Sequence, residues 1–211
     1  MLLTIYDLSN DDAQDPYLEL IGPTHAVRMF RNGHVMIEAE LKVKGAVERE
    51  DKYLIADGKI VRPLAGLDSV ELTSPGEWKM NIAVGGLETC VEATIFVRVI
   101  NGTWPIGFHG QFAARTASVN EKIILIDLNG DDVTSSGVDR HMEQLRHVVS
   151  VEASGELIVS FLAWNGEEEV ISGEEIFKAK MSGRSFRYHK ISSCNLGVLV
   201  VWSRIQPSRA I

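Results

Sequence analysis

The residues able to do chemistry are scattered along this chain, and their spacing excludes most of what they are able to do. Six histidines, His25, His34, His109, His141, His147 and His189, are the natural metal ligands and general bases. His141 and His147 come six apart, about 240° round a helix or roughly 20 Å along a strand, so one element cannot chelate through both. Cys90 and Cys194 have no partner at zinc-ligand spacing, and no metal is expected. The turn Asp127-Leu128-Asn129-Gly130-Asp131-Asp132 has the oxygens of a calcium loop. Its Gly130 comes too early, however, and Val138 stands where the closing glutamate belongs, so it reads as a solvated turn. Glu167-Glu168-Glu169 and Glu174-Glu175 offer paired carboxylates, yet beside Asn165-Gly166 they fit a solvated strand end. Nucleophile elbow, phosphate loop and dinucleotide fingerprint are all missing. The chain is therefore expected to be non-catalytic and to use no cofactor. An enzyme would need a site assembled from distant loops.

Two segments suit binding better than catalysis. Trp104-Pro105-Ile106-Gly107-Phe108-His109-Gly110-Gln111-Phe112-Ala113-Ala114-Arg115 concentrates aromatics, glycines, an imidazole, an amide and a guanidinium. Trp104 and Phe108 would be anchors on a protein partner, with His109, Gln111 and Arg115 as polar contacts. The opposing reading is a sandwich corner, bent at glycine and plugged by Trp104. The second segment interleaves cations with rings: Arg184, Phe186, Arg187, Tyr188, His189 and Lys190. As a strand it shows Arg184, Phe186, Tyr188 and Lys190 on one face and Arg187 with His189 on the other. That pattern suits RNA or ribosome binding through stacking and phosphate contact. It also suits a charged, aggregation-resistant edge strand.

The elements that must position these residues announce themselves by period two. Val35, Ile37, Ala39, Leu41 and Val43 alternate with charged residues, and Val91, Ala93, Ile95, Val97 and Val99 do so over a longer span. Phe96 interrupts the second polar face and is expected to be covered. Residues 147–164 read as a hairpin turning at Ser154-Gly155. Ile123–Ile126 and Val198–Trp202 read as more fully buried strands, and further short strands are expected near 17–21, 25–30, 77–84, 107–114, 168–177 and 186–192. The stretch 57–69 reads as the loosest loop, and Asp139–Arg146 alone invites a short helix. Frequent turn pairs such as Asn32-Gly33, Asp57-Gly58 and Gly85-Gly86 separate the runs. The expectation is one all-β domain over residues 1–211: an antiparallel β-sandwich of short strands with at most one or two helical turns.

Composition limits the partners. With 29 acidic against 21 basic side chains the formal charge is -8, which repels phosphate except at a local basic patch. No apolar run reaches the roughly 18–20 residues of a membrane span. Met1–Asp7 lacks the basic and apolar regions of a signal peptide, and two cysteines make no disulfide framework. A cytoplasmic location, with the nucleus as the other option, is expected.

Several segments carry a family likeness. Asp15–Val27, Ile37–Gly45, Val91–Ile100, Gly107–Thr116, Val149–Glu152 and Val200–Ser203 together resemble a domain of unknown function abundant in grasses. In some cereal proteins that domain lies behind a ribosome-inactivating rRNA N-glycosidase domain, in jasmonate-induced fusions. The resemblance implies a plant stress or defence setting, without N-glycosidase activity, because only the second domain is matched. Gln111-Phe112-Ala113-Ala114-Arg115 echoes the glycosidase Glu-Ala-Ala-Arg helix but lacks its glutamate. The second domain has also been likened to a cap-binding translation factor, but no paired-tryptophan clamp maps onto Trp78, Trp104, Trp164 and Trp202. Family members carry more strand-forming sequence before the Asp15-Pro16-Tyr17-Leu18 block than the fourteen residues here. Either residues 1–14, through Leu2–Tyr6, supply a replacement edge strand, or they form a mobile arm. An open sheet edge would then favour a homodimer.

Overall fold

Period-two alternation becomes antiparallel sheet throughout the computed structural model, which describes residues 2–9, 34–43, 45–62, 66–74, 78–87, 89–128, 148–166 and 169–205. Among them are thirteen strands and one 3-10 turn at Glu48–Glu50, so the fold is all-β and sandwich-like. The chain divides into two compact units: described residues up to Leu87 belong to the first and those from Thr89 onward to the second.

The first unit holds β1 (Leu2–Ser9), β2 (Val35–Val43), β3 (Lys52–Val61), β4 (Gly66–Thr73) and β5 (Lys79–Gly86). Their sheets run β1-β5-β4 and β2-β3. Every second residue of β5, Met80, Ile82 and Val84, is buried with Ile37, Ile55, Val70 and Leu72, and Trp78 packs against them. Each such side chain contributes about 1.5–3 kcal/mol by leaving water. Leu2–Ser9 lies antiparallel along β5, Leu2 opposite Gly85 and Ser9 opposite Lys79. Residues 2–9 thus supply the edge strand of that sheet, beside β5. The described part of the stretch 57–69 is mostly strand and not loop: residues 57–61 complete β3 and Gly66 opens β4. Asp57-Gly58, a turn pair by composition, runs straight on because Glu38 and Ala39 of β2 pair with it.

Asp57 instead ties two strands together. Its Oδ1 accepts the Gly58 amide at 2.8 Å and its Oδ2 the Thr73 amide at 2.9 Å. The Thr73 bond, followed by that from Gly58, holds its carboxyl below the ordinary 3.8. A depressed folded value stabilises the unit above the unfolded value and is lost as pH falls through the folded one. Asp57→Asn should therefore lower the urea midpoint of β3 and β4 amide signals at pH 7, and this deficit should shrink once wild type is protonated in acid. An equal deficit on both sides of that titration would show that charge plays no part.

The second unit pairs two four-stranded sheets. Sheet I has the order β11 (Glu169–Lys178), β10 (Glu156–Asn165), β7 (His109–Thr116), β8 (Val119–Leu128). Sheet II has the order β12 (Gly183–Ile191), β13 (Cys194–Arg204), β6 (Cys90–Asn101), β9 (Val148–Glu152). Between them Leu157, Val159, Phe161 and Ala163 of β10 meet the buried alternation of β6 and of Leu196, Val198, Val200 and Trp202 in β13. The Thr116 hydroxyl donates to the Glu152 carboxylate, joining β7 to β9 across the sandwich.

Three expectations need correction here. Residues 147–164 do form two strands, but not a hairpin: β9 pairs with β6, and β10 pairs with β7 and β11. The turn after Glu152 carries the chain from one sheet to the other, and Gly155 N donates back to Glu152 O at 2.9 Å. Turn chemistry sets the reversal but not which strand is paired. Val198–Trp202 is buried on one face only, because Leu199 and Val201 point to the outer face of sheet II and are half-exposed. Ile123–Ile126 is buried apart from half-exposed Ile124, since a register shift lets consecutive Leu125 and Ile126 both point inward. The segments 17–21, 25–30 and Asp139–Arg146 lie outside the described residues.

Candidate functional site

The segment after β6 builds a corner before it displays anything. Gly102 takes φ +80°, and a Cβ there would sit 2.0 Å from the Ser193 carbonyl oxygen. Trp104 is 4% exposed and its indole Nε1 donates to the Phe108 carbonyl at 2.9 Å. Gly110 leaves the room the indole fills, since a Cβ would stand 2.4 Å from Trp104 Cζ2. Phe108 is buried as well, so neither expected anchor offers a ring to a partner. Their hydrogen bond and packing hold the corner from which β7 departs.

Beyond that corner, pleating sends His109, Gln111 and Arg115 to the outer face of sheet I. The structure puts these three on one face, spread along β7 over roughly 20 Å, and gives each its own partner. His109 stacks on Trp164, directly opposite on β10, with centroids 5.5 Å apart and planes at 16°. Gln111 Nε2 donates to Asp127 Oδ2 at 3.3 Å, and Arg115 lies 3.5 Å from Glu174. Glu174 and Glu175 are not a carboxylate pair: consecutive strand residues face opposite ways, and Glu175 turns inward to His189 Nδ1 at 3.0 Å. Of the calcium-like turn, Asp127 and Leu128 are described; residues 129–132, with His25, His141 and His147, lie outside the described residues. No group of three metal-ligating side chains converges among the described residues.

The outer face of sheet II is different in kind. On edge strand β12, Arg184, Phe186, Tyr188 and Lys190 take alternate positions and share it, as the spacing predicts. Arg187 and His189 lie on the other side, where the imidazole packs against Phe161 with centroids 3.7 Å apart. Phe186 meets Tyr188 edge-on, 4.6 Å between centroids and 77° between planes, and Tyr188 is 69% exposed. Gly197 lies between Tyr188 and Arg98 in one cross-sheet row. A Cβ at Gly197 would meet Phe186 Cζ at 2.7 Å and Ile100 Cδ1 at 2.8 Å, so these apolar groups fill its missing side chain. Arg98, Arg184 and Lys190 are exposed, and none is in an ion pair among the described residues.

A family model for a domain of unknown function, DUF6598, matches residues 3–200. The chain belongs to the DUF6598 family. The match runs from β1 into β13, so both units and both outer faces lie within the DUF6598 domain. No curated protein and no solved structure matches the chain. Sequence reasoning on this DUF6598 chain missed Trp164 and Glu174 beside His109 and Arg115, and Arg98 beside Tyr188. All three are cross-strand neighbours, and only the alternation within each strand was there to find them. Half of each relation was therefore legible: which face, but not against whom.

Proposed function

We propose that this DUF6598 chain is a non-catalytic binding module whose anionic partner docks on the outer face of β12, β13 and β6. The observation that carries this is Tyr188, 69% exposed and braced by Phe186, beside cations that have no carboxylate partner among the described residues. On the outer face of sheet I the polar groups are already engaged with one another, so binding there would break bonds as well as make them. An edge strand protected by charge accounts for Arg184 and Lys190, but leaves an exposed ring without a use. The proposed location is the cytoplasm, and the proposed setting is the one the family likeness implies: plant stress or defence, akin to the second domain of ribosome-inactivating fusion proteins.

Heparin is a suitable polyanion probe. Despite its net charge of -8, the protein should be retained on immobilised heparin at low salt. The triple variant Arg98→Glu, Arg184→Glu, Lys190→Glu should flow through while keeping its melting temperature. Arg115→Glu, on the opposite outer face, should elute with wild type. Equal retention of wild type and triple variant would remove this face from the proposal.

A further inference from the structure

Resting on that docking-face reading, we propose that the partner is single-stranded RNA, held by phosphate contacts along β12 and by a base stacked on Tyr188. Alternate residues of one strand stand about 6.7 Å apart, so Arg184 and Lys190 bracket the two rings along a line of roughly 20 Å. Each step of about 6.7 Å is close to the separation of successive phosphates in an extended single strand, so the two cations stand about three phosphates apart with the rings between them. Arg98 lies across Gly197 from Tyr188, about 9.5 Å over in the sheet, where a backbone crossing the strands would meet it. The Phe186 edge fixes the Tyr188 ring and leaves it exposed for stacking, which a paired base inside a duplex cannot reach. An acidic peptide would satisfy the cations but would leave the ring without a matching plane. The row Lys190, Asn195, Asn101 adds side-chain amides beside Lys190, of which Asn101 Oδ1 already accepts the Gly102 amide at 2.8 Å. Amides both donate to and accept from a ribose 2′-hydroxyl, which favours RNA over DNA.

The test is fluorescence anisotropy of a labelled single-stranded RNA dodecamer over a salt series, with the matching DNA, an RNA duplex and polyglutamate as parallel ligands. Three phosphate contacts predict a log–log salt slope of about -2 for the single strand. Tyr188→Ala should weaken single-stranded RNA at least about fivefold, as loss of one stacked base does, and leave heparin retention unchanged. Tyr188→Trp should restore the loss. Equal affinity for the duplex or for polyglutamate, or no effect of Tyr188→Ala, overturns the inference. Equal affinity for the DNA overturns the choice of RNA. Heparin bound through the triple-variant residues without RNA binding defeats this inference and leaves the docking face standing; loss of both defeats both.

Discussion

Trp104→Ala is expected to cost the second unit about 3–5 kcal/mol, the range for deleting a large buried aromatic. The indole is 4% exposed, lies against Phe112 with centroids 6.2 Å apart, and occupies the space kept open by Gly110. Its removal leaves a cavity beside Gly110, which has no side chain to fill it, and beside the Phe112 ring. Trp104→Phe separates the contributions, because it keeps much of the ring and deletes the bond to the Phe108 carbonyl. That variant should lose about 1 kcal/mol for the hydrogen bond plus a smaller packing share. Urea denaturation of the three proteins gives the comparison. If Trp104→Ala keeps wild-type stability, the side chain is a surface anchor after all and its burial is misplaced.

Gly173→Ala should be about as damaging as a severe overpacking mutation, about 3 kcal/mol. A Cβ at Gly173 would stand 2.0 Å from Phe161 Cζ and 2.7 Å from its Cε1. Phe161 cannot step aside, because His189 covers it and Phe112 lies 6.4 Å away, directly opposite on the neighbouring strand β7. His189 is itself held by Glu175. The cost comes chiefly from the methyl against the Phe161 ring, with His189 Cε1 at 3.0 Å the next contact, and a double-mutant cycle isolates the Phe161 part. Phe161→Leu alone should destabilise through lost volume, but in the Gly173→Ala background it should restore much of the loss. Strict additivity of the two single effects would show that the clash is not the cause.

Both substitutions lie at points the sequence only half describes. Gly107, Gly110 and Trp104 read as a bent, plugged corner, which is what they form, although their richness in contact residues equally suggested a surface. Nothing local told the two apart, since a tryptophan's burial depends on whether a neighbouring strand leaves room, and that room belongs to Gly110 six residues on. The β12 face was more legible. Alternation assigned Arg184, Phe186, Tyr188 and Lys190 to one side, and the pairing with β13 bears this out. Gly197 as the gap between Tyr188 and Arg98 was not legible, because it comes from β13 pairing at once with β12 and β6.

What the sequence determined by itself was therefore the local part: strands, their inward and outward residues, and the all-β class. These follow from a side-chain period of two, which every strand carries within its own few residues. The tertiary structure alone decided which strand lies beside which. It sent β9 and β10 to different sheets across a tight turn, set Trp164 under His109, and left Tyr188 exposed beside cations that have no ion-pair partner among the described residues. Pairing is chosen by the burial of whole faces across long sequence separations, and short runs of alternating residues are nearly interchangeable in that respect. Function at a sheet face is a property of such neighbours, which is why the fold could be read before the site.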